Sequence, residues 1–317
     1  MHAADLIQAA IDRTRSIACV GLDPRPNLIP KALADAAIAN HGDTVRACAE
    51  AFFAYNRDLI RAIAGACAAV KPQMACYEAY GSAGMRALEL TVACAHEHGI
   101  PVIIDGKRND IGSTAEHYAQ AYLAPIAPTA GRSPLSLAGS PLPGLGAAWL
   151  TVNAYLGSDG VKPFLAPHPA ATGIFVLVKT SNASSGELQD VACDHGPVME
   201  RMARLVTAWG AGRIGRSGMS DVGAVVGATY PQQARRLREL MPDALFLVPG
   251  YGAQGASAAD ATAGARADGR GVLVNSSRAI MGAWQDQRFA SMTWADAARA
   301  ALDAMNADLA TGVRTAT

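Results

Sequence analysis

The 317-residue chain is predicted to be an α/β protein that folds as a single (β/α)8 TIM barrel domain. Short runs rich in Val, Ile and Leu recur along it, and most are followed by a longer Ala-, Leu- and Arg-rich stretch with helical spacing. That alternation is typical of βα units. About eight such runs occur, the strand number of a closed parallel barrel. Most are continuously apolar, as expected of strands buried on both faces.

The predicted strands are short and end next to Gly, Pro, Asn or charged residues. In chain order they cover residues 17–22, 68–71, 101–105, 148–153, 174–179, 222–227, 244–248 and 272–275. Helices are predicted between them, for example over residues 232–240, whose outer face is rich in Arg. Another covers residues 44–64, where one side collects Phe52, Phe53, Tyr55, Leu59 and Ile60.

Two segments depart from this rhythm. Residues 123–146 are rich in Pro, Gly, Ser and Ala, which predicts an insertion between the third helix and the fourth strand, running over the surface. Residues 310–317 are small and polar and are expected to fray.

Composition restricts the classes of function. Half of the residues are hydrophobic and 17% are charged, so a large core is available and disorder is not expected. The 27 basic and 27 acidic residues balance, and no basic run occurs, which argues against nucleic acid or an anionic membrane as a partner. No apolar stretch reaches the ~18 residues of a membrane span, and no signal peptide is evident. Six scattered cysteines without metal-type spacing predict reduced, mostly buried thiols in a cytoplasmic protein.

Charged residues are sparse but concentrate at the predicted carboxyl ends of the strands, where barrels of this kind carry their active sites. Strand by strand these ends supply Asp23, Lys71, Asp105, Lys107, Asp110, Asn153, Lys179, Ser181, the turn 249–255, and Arg278. Asp105 and Lys107 are two apart and should both enter the barrel mouth, while Ile104 turns outward. Asp110 lies beyond the predicted strand end and need not share their face.

The pattern predicts an array of alternating charge. Flanking carboxylates keep a buried lysine in its ammonium form, and Lys71 on the neighbouring strand can join Asp105, Lys107 and Asp110. The alternative is a purely structural ion-pair network that closes the top of the barrel. Asn153 could contact a ligand or simply cap a turn.

The segment Asp105-Gly106-Lys107-Arg108-Asn109-Asp110-Ile111, followed by Thr114, resembles the Asp-x-Lys-x-x-Asp-Ile motif of the orotidine 5'-phosphate decarboxylase family. The resemblance is to the longer bacterial branch and extends from residue 17 to about residue 281. It implies decarboxylation of orotidine 5'-phosphate to uridine 5'-phosphate (UMP), the final step of de novo pyrimidine nucleotide synthesis, without cofactor or metal. It also implies a homodimer.

The resemblance further implies a role for each matching residue. Asp23 would contact the ribose, Lys71 would belong to the charged array, Asp105 would lie against the substrate carboxylate and Lys107 would donate the proton. Asp110 and Thr114 would reach the active site of the partner subunit. Ser181 would bind the pyrimidine, and Gln254 and Arg278 would bind the phosphate.

Two other functions are compatible with a barrel of this kind. One is a metal-dependent decarboxylase or aldolase of the same barrel group acting on a sugar phosphate, and the decarboxylases among these need a further acidic ligand near the second strand. Here Lys71 is followed by Pro72, Gln73 and Met74, and the nearest acid is Glu78. The other alternative is a catalytically silent barrel that senses nucleotides or phosphosugars, which an intact Lys107 with flanking aspartates disfavours.

Overall fold

The computed structural model describes residues 2–123, 144–166, 171–252 and 255–316, and it forms the predicted barrel. Eight parallel strands form one sheet in the order β2-β1-β8-β7-β6-β5-β4-β3. They are β1 (Ala18–Leu22), β2 (Ala69–Pro72), β3 (Ile103–Arg108), β4 (Trp149–Val152), β5 (Gly173–Lys179), β6 (Ser220–Val226), β7 (Ala244–Val248) and β8 (Val272–Ser276). Parallel bridges Val70–Val102 and Gln73–Asp105 join β2 to β3, so the circle closes there.

Helices surround the strands. They are α1 (Ala3–Thr14), α2 (Lys31–His41), α3 (Val45–Ile63), α4 (Met74–Glu78), α5 (Gly81–Glu97), α6 (Gly112–Tyr122), α7 (Gly186–Gln189), α8 (Val198–Gly210), α9 (Pro231–Leu240), α10 (Ala258–Thr262), α11 (Arg278–Met281) and α12 (Trp294–Ala316). Short 3-10 turns occupy Pro26–Leu28, Gly157–Gly160, Lys162–Leu165, Ala183–Ser185, Ala283–Gln285 and Gln287–Phe289. A two-residue hairpin pairs Ala192–Cys193 with Gly196–Pro197.

The core has two layers because alternate strand residues point to opposite faces. Outward residues such as Ile104 pack under the helices, including the predicted face of α3 with Phe52, Tyr55 and Leu59. Inward residues fill the lower barrel, where the Trp149 and Phe175 rings lie 4.4 Å apart. Helix α1 closes this bottom end, since several of its residues belong to the inner layer. The strands' carboxyl ends therefore open at the other end.

Strand and helix bounds agree with the sequence predictions to within about two residues in most cases. The predicted insertion lies mostly outside the described residues, and its described ends meet at a bridge between Leu123 and Ala147. Helix α12 extends to Ala316 and so includes most of the tail for which fraying is predicted. Alanine-rich composition favours the helix, and Gly312 packs so closely on α10 that an added Cβ would lie 2.7 Å from the Ala258 carbonyl oxygen.

Two further expectations concern the cysteines and the membrane. All six cysteines are free thiols, of which Cys19, Cys67 and Cys94 are buried and Cys193 is exposed. Among the described helices, none combines the length and the hydropathy that crossing a bilayer requires.

Candidate active site

Three charged side chains of the predicted array meet at the barrel mouth. The Asp105 carboxylate, on β3, receives the Lys71 Nζ at 2.8 Å and the Lys107 Nζ at 2.6 Å, one on each oxygen. Lys71 comes from β2, so the contact depends on the closure of the barrel between these two strands. Lys71 and Asp105 are buried, with 4% and 8% exposure, whereas the Lys107 side chain is 46% exposed.

Two neutral groups complete the coordination of Asp105. The Gln73 Nε2 donates to the oxygen that Lys71 contacts, at 2.9 Å, and the Thr151 hydroxyl donates to the oxygen that Lys107 contacts, also at 2.9 Å. Each oxygen of the carboxylate therefore accepts one charged and one neutral donor. Donors fixed on both oxygens favour the ionised form.

The electrostatic effects point the same way. Burial alone raises the pKa of Asp105, but the neighbouring Lys71 and Lys107 ammonium groups outweigh it and hold that pKa well below the ordinary value. Burial likewise disfavours the ammonium of Lys71, yet the Asp105 and Asp23 carboxylates raise the pKa of Lys71 above its usual range. Lys71 and Asp105 are consequently both ionised at neutral pH.

The backbone at Lys107 is unusual. Lys107 has a φ of +47°, in the left-handed region that residues other than glycine rarely adopt. The β3–β4 register shifts between Ile104 and Arg108, so the ladder is interrupted at this point. Despite this, the predicted facing holds, because Ile104 is buried in the outer core while Asp105 and Lys107 point into the mouth.

The fourth predicted member of the array, Asp110, does not reach Lys107 within one chain. It is half-buried, and its Oδ1 accepts a hydrogen bond from the Ile111 N–H at 2.8 Å. Among the described residues no ion pair joins it to a cation. Thr114 is exposed on α6. One chain therefore brings together Lys71, Asp105 and Lys107 alone.

A cavity of about 450 Å³ opens on one side of the array. Its lining includes Asp23, Arg25, Asn275 and Arg278. The buried Oδ1 atoms of Asp23 and Asn275 have no hydrogen-bond partner in the described structure, so both can accept a bond from a ligand. Arg278 is exposed at the start of α11, and within the described ranges no carboxylate pairs with Arg25 or Arg278.

A second cavity, of about 360 Å³, lies on the other side and shares Lys71, Asp105 and Pro249 with the first. Ser181 lies in its wall, as do the apolar side chains of Leu177, Val225 and Leu247. Gly227 permits this wall, because a Cβ there would lie 2.8 Å from the Cα of Ser181. The two cavities form one cleft with arginines at one end, an uncharged wall of Ser181 and apolar side chains at the other and the lysine–aspartate–lysine array between them.

The remaining predicted positions have more local roles. Asn153 caps a turn, since its Oδ1 accepts from the Tyr155 N–H at 3.0 Å. Lys179 is fully buried, and its Nζ lies 2.8 Å from both Asp190 oxygens and 4.3 Å above the Tyr230 ring. These contacts hold the loop that carries Ser181 in place. Gln254 lies outside the described residues.

Several residues of the cleft were assigned no role from the sequence, among them Arg25, Gln73 and Thr151. Arg25 lies two residues after Asp23 and could have been found from its charge at a strand end. Gln73 and Thr151 carry no charge, and Thr151 stands within an apolar run that predicts only a strand.

The metal alternative finds few donors here. Among the described residues, the group of Cys, His and acidic side chains close enough to share an ion is Cys94, Glu97 and His98. These lie at the end of α5, which precedes β3 and so belongs to the opposite end of the barrel. Glu78, the acid nearest to Lys71 along the chain, is paired with Arg108.

The fold and the site together define the class of protein, a (β/α)8-barrel enzyme with a lysine–aspartate–lysine array at its mouth. The chain belongs to the orotidine 5'-phosphate decarboxylase / HUMPS family, whose model matches residues 17–292.

Individual relatives agree with this assignment along nearly the whole chain. The orotidine 5'-phosphate decarboxylase of Rhodopirellula baltica is 45% identical over 314 residues, covering 98% of this chain and 99% of that protein. That of Haloarcula marismortui is 39% identical, covering 90% and 89%. The solved structure of Leishmania donovani OMP decarboxylase has a TM-score of 0.72 with 30% identity and covers 100% of both chains.

Proposed function

We propose that this protein decarboxylates orotidine 5'-phosphate to UMP, the final step of de novo pyrimidine nucleotide synthesis. The observation that carries the proposal is the Lys107 ammonium, held 2.6 Å from a buried, ionised Asp105 inside a cleft with arginines at one end. Membership of the family supports the same reaction. The free cysteines support the predicted cytoplasmic location.

The reaction requires stabilisation of the negative charge that develops on C6. When the bond between C6 and the carboxylate carbon breaks, carbon dioxide leaves and the electron pair stays on C6, in an orbital that cannot delocalise into the ring π system. The Lys107 ammonium stabilises that developing negative charge and then transfers a proton to C6. Since its side chain is half exposed, Lys107 regains a proton from water afterwards.

Asp105 and the apolar wall act on the departing carboxylate. Asp105 remains ionised because its pKa is lowered by Lys71 and Lys107, so it repels a substrate carboxylate placed beside it. That repulsion raises the energy of the bound substrate and is relieved as neutral carbon dioxide forms. Leu177, Val225 and Leu247 offer an apolar surface beside this position.

The rest of the substrate provides binding energy away from the reacting bond. Arg278 and Gln254 bind the phosphate, and Arg25 is a further cation beside it. The two arginines suit this role because guanidinium groups form strong paired hydrogen bonds to phosphate oxygens. Asp23 accepts from a ribose hydroxyl through its unpaired oxygen, and Ser181 bonds the pyrimidine. The binding energy of the phosphate lowers the activation barrier for decarboxylation if that binding energy is realised in the transition state.

The active unit in this proposal is a homodimer in which Asp110 and Thr114 complete the partner's site. Within one chain Asp110 has no cation partner among the described residues, and exposed apolar side chains lie near it. Ile111, Tyr155 and Leu156 are 53%, 76% and 45% exposed. Leu156 lies close to Asp110, because a Cβ added at Gly160 would lie 3.1 Å from the Leu156 Cβ and 3.2 Å from the Asp110 carbonyl oxygen. Exposed apolar patches of this kind mark interfaces.

Mixing two inactive variants tests the dimer. In a dimer of one Lys107→Ala chain and one Asp110→Ala chain, both changes fall in the same site if Asp110 acts across the interface, so the other site is intact. Co-refolded equal amounts should then recover about a quarter of wild-type activity, since half of the dimers are mixed and each has one working site. Recovery of no activity would contradict the shared site.

Lys107→Ala tests the reaction itself. Loss of orotidine 5'-phosphate absorbance is followed with purified protein, with and without a chelator, and UMP binding is titrated separately. The variant should lose decarboxylation while still binding UMP, and Lys31→Ala, on the exposed face of α2, should match the wild type. Near-normal turnover by Lys107→Ala would refute its role. Activity that a chelator abolishes would favour the metal-dependent alternative, and a wild type that binds UMP without turnover would favour a sensor.

A further inference from the structure

The hydroxyl of Thr151 links the backbone of Lys107 to the ammonium group of its side chain through hydrogen bonds. It accepts a hydrogen bond from the Lys107 N–H at 2.9 Å and donates one to Asp105 Oδ1 at 2.9 Å. The same Oδ1 receives the Lys107 ammonium at 2.6 Å. A closed ring of hydrogen bonds therefore runs from the Lys107 backbone through Thr151 and Asp105 back to the Lys107 side chain.

This ring replaces what the strand ladder would otherwise supply. The β3–β4 register is interrupted between Ile104 and Arg108, so the Lys107 N–H bonds a side chain on β4 instead of a backbone carbonyl. The residue is held at a φ of +47°, a conformation that persists only where its surroundings determine it. Among the described non-glycine residues, Arg15 alone shares a positive φ, and it ends helix α1.

Thr151 is itself rigidly held. It is 1% exposed, lies in the middle of β4 and has a β-branched side chain with few rotamers. A hydroxyl has one proton to donate, and here that proton points to Asp105 and leaves a lone pair for the Lys107 N–H. The lysine side chain, by contrast, is long and half exposed, so it needs external contacts to fix its position.

We propose that Thr151 is a positioning residue for the proton donor Lys107, an inference that rests on the proposed decarboxylation. Its hydroxyl fixes the backbone from which the lysine side chain departs. It also shares Asp105 Oδ1 with the ammonium, which limits how tightly the carboxylate draws the ammonium away from the substrate. Removing the hydroxyl leaves the Lys107 N–H without this partner and displaces the ammonium from C6. A displacement of about 1 Å costs on the order of 100-fold in rate.

Two substitutions separate positioning from packing. Thr151→Val keeps the shape and removes the hydroxyl, while Thr151→Ser keeps the hydroxyl and removes a methyl group. Decarboxylation kinetics should show kcat lowered about 100-fold in the valine variant, with KM and the Kd for UMP within about twofold of wild type. The serine variant should regain most of the lost kcat. Thermal unfolding checks that both are folded, and Thr151→Ala replaces the valine variant if that one is not.

Three results would overturn the inference: a valine variant with wild-type kcat, equal losses in kcat and UMP affinity, or a serine variant as slow as the valine one. Each presupposes a wild type that consumes orotidine 5'-phosphate. A wild type that leaves this substrate unchanged would instead overturn the proposed function and the inference with it, so the two failures are distinguishable.

Discussion

Replacing Asp105 by asparagine tests the electrostatic account of the site through stability. The carboxylate accepts four donors, the Lys71 and Lys107 ammonium groups and the polar hydrogens of Gln73 and Thr151, two on each oxygen. An asparagine side chain has one oxygen and one NH₂ group. Whichever way it is turned, the NH₂ faces two donors where an oxygen had stood, and both ammonium groups lose their charged partner at this position.

The magnitude follows from burial. Lys71 is 4% exposed, and after Asp105→Asn its remaining nearby carboxylate is Asp23. Breaking a buried ion pair by removing one partner costs about 3–5 kcal/mol, because the other charge is left uncompensated. We therefore expect the free energy of unfolding to fall by about 3 kcal/mol or more at neutral pH.

The assay is urea denaturation, with Asp35→Asn as the control. Asp35 pairs with Lys31 at 2.6 Å on the exposed side of α2, and exposed pairs one helical turn apart contribute about 0.3–0.5 kcal/mol. A loss at Asp105→Asn no larger than this would refute the reasoning.

The same variant should change the acid response. The pKa of Asp105 is lowered in the folded protein, so this group contributes stability that is present above its unfolded pKa of about 3.9 and is lost as the pH falls through the lower folded value. Asp105→Asn should accordingly lose less stability than the wild type between pH 4 and the acid limit of folding.

Two further predictions concern arginines. Arg278→Ala should weaken UMP binding roughly 10- to 100-fold by removing a charged phosphate contact, whereas Arg288→Ala, exposed and paired with Asp286, should not; equal affinities in a UMP titration would contradict the phosphate assignment. Arg238 donates to five backbone carbonyls and stacks on Phe246, so Arg238→Lys should lower the free energy of unfolding by about 2–3 kcal/mol in urea, and an unchanged midpoint would contradict this.

The barrel was predictable because its signals are local. A continuously apolar run followed by a helical stretch reflects burial on both faces, and the residue at which polarity begins marks the strand's end. For the same reason Asp23, Lys71 and Asp105 could be placed at the mouth from the sequence. The sequence does not display the close packing of Gly312 on α10, which depends on the tertiary fold.

The backbone conformation that brings Lys107 to the mouth, by contrast, could not be predicted from the sequence. Period-two alternation predicts its facing correctly, but the strand reaches that facing through a left-handed residue and an interrupted ladder. The residue type does not indicate this conformation, since lysine has no preference for positive φ. The conformation is held by Thr151, 44 residues further along the chain, and Thr151 reads as an ordinary strand residue until the fold is known.

Exposure distinguishes the two lysines of the array. Lys71 is buried between Asp105 and Asp23, and because those carboxylates raise its pKa, it keeps its proton and acts as a fixed positive charge. Lys107 has one buried partner and a half-exposed side chain, so it can deliver a proton into the cleft and recover one from water. The buried lysine therefore sets the charge of Asp105, and the exposed one is suited to proton transfer. A site built for stability alone would have no reason to leave the second lysine half in solvent with its backbone held in a rare conformation.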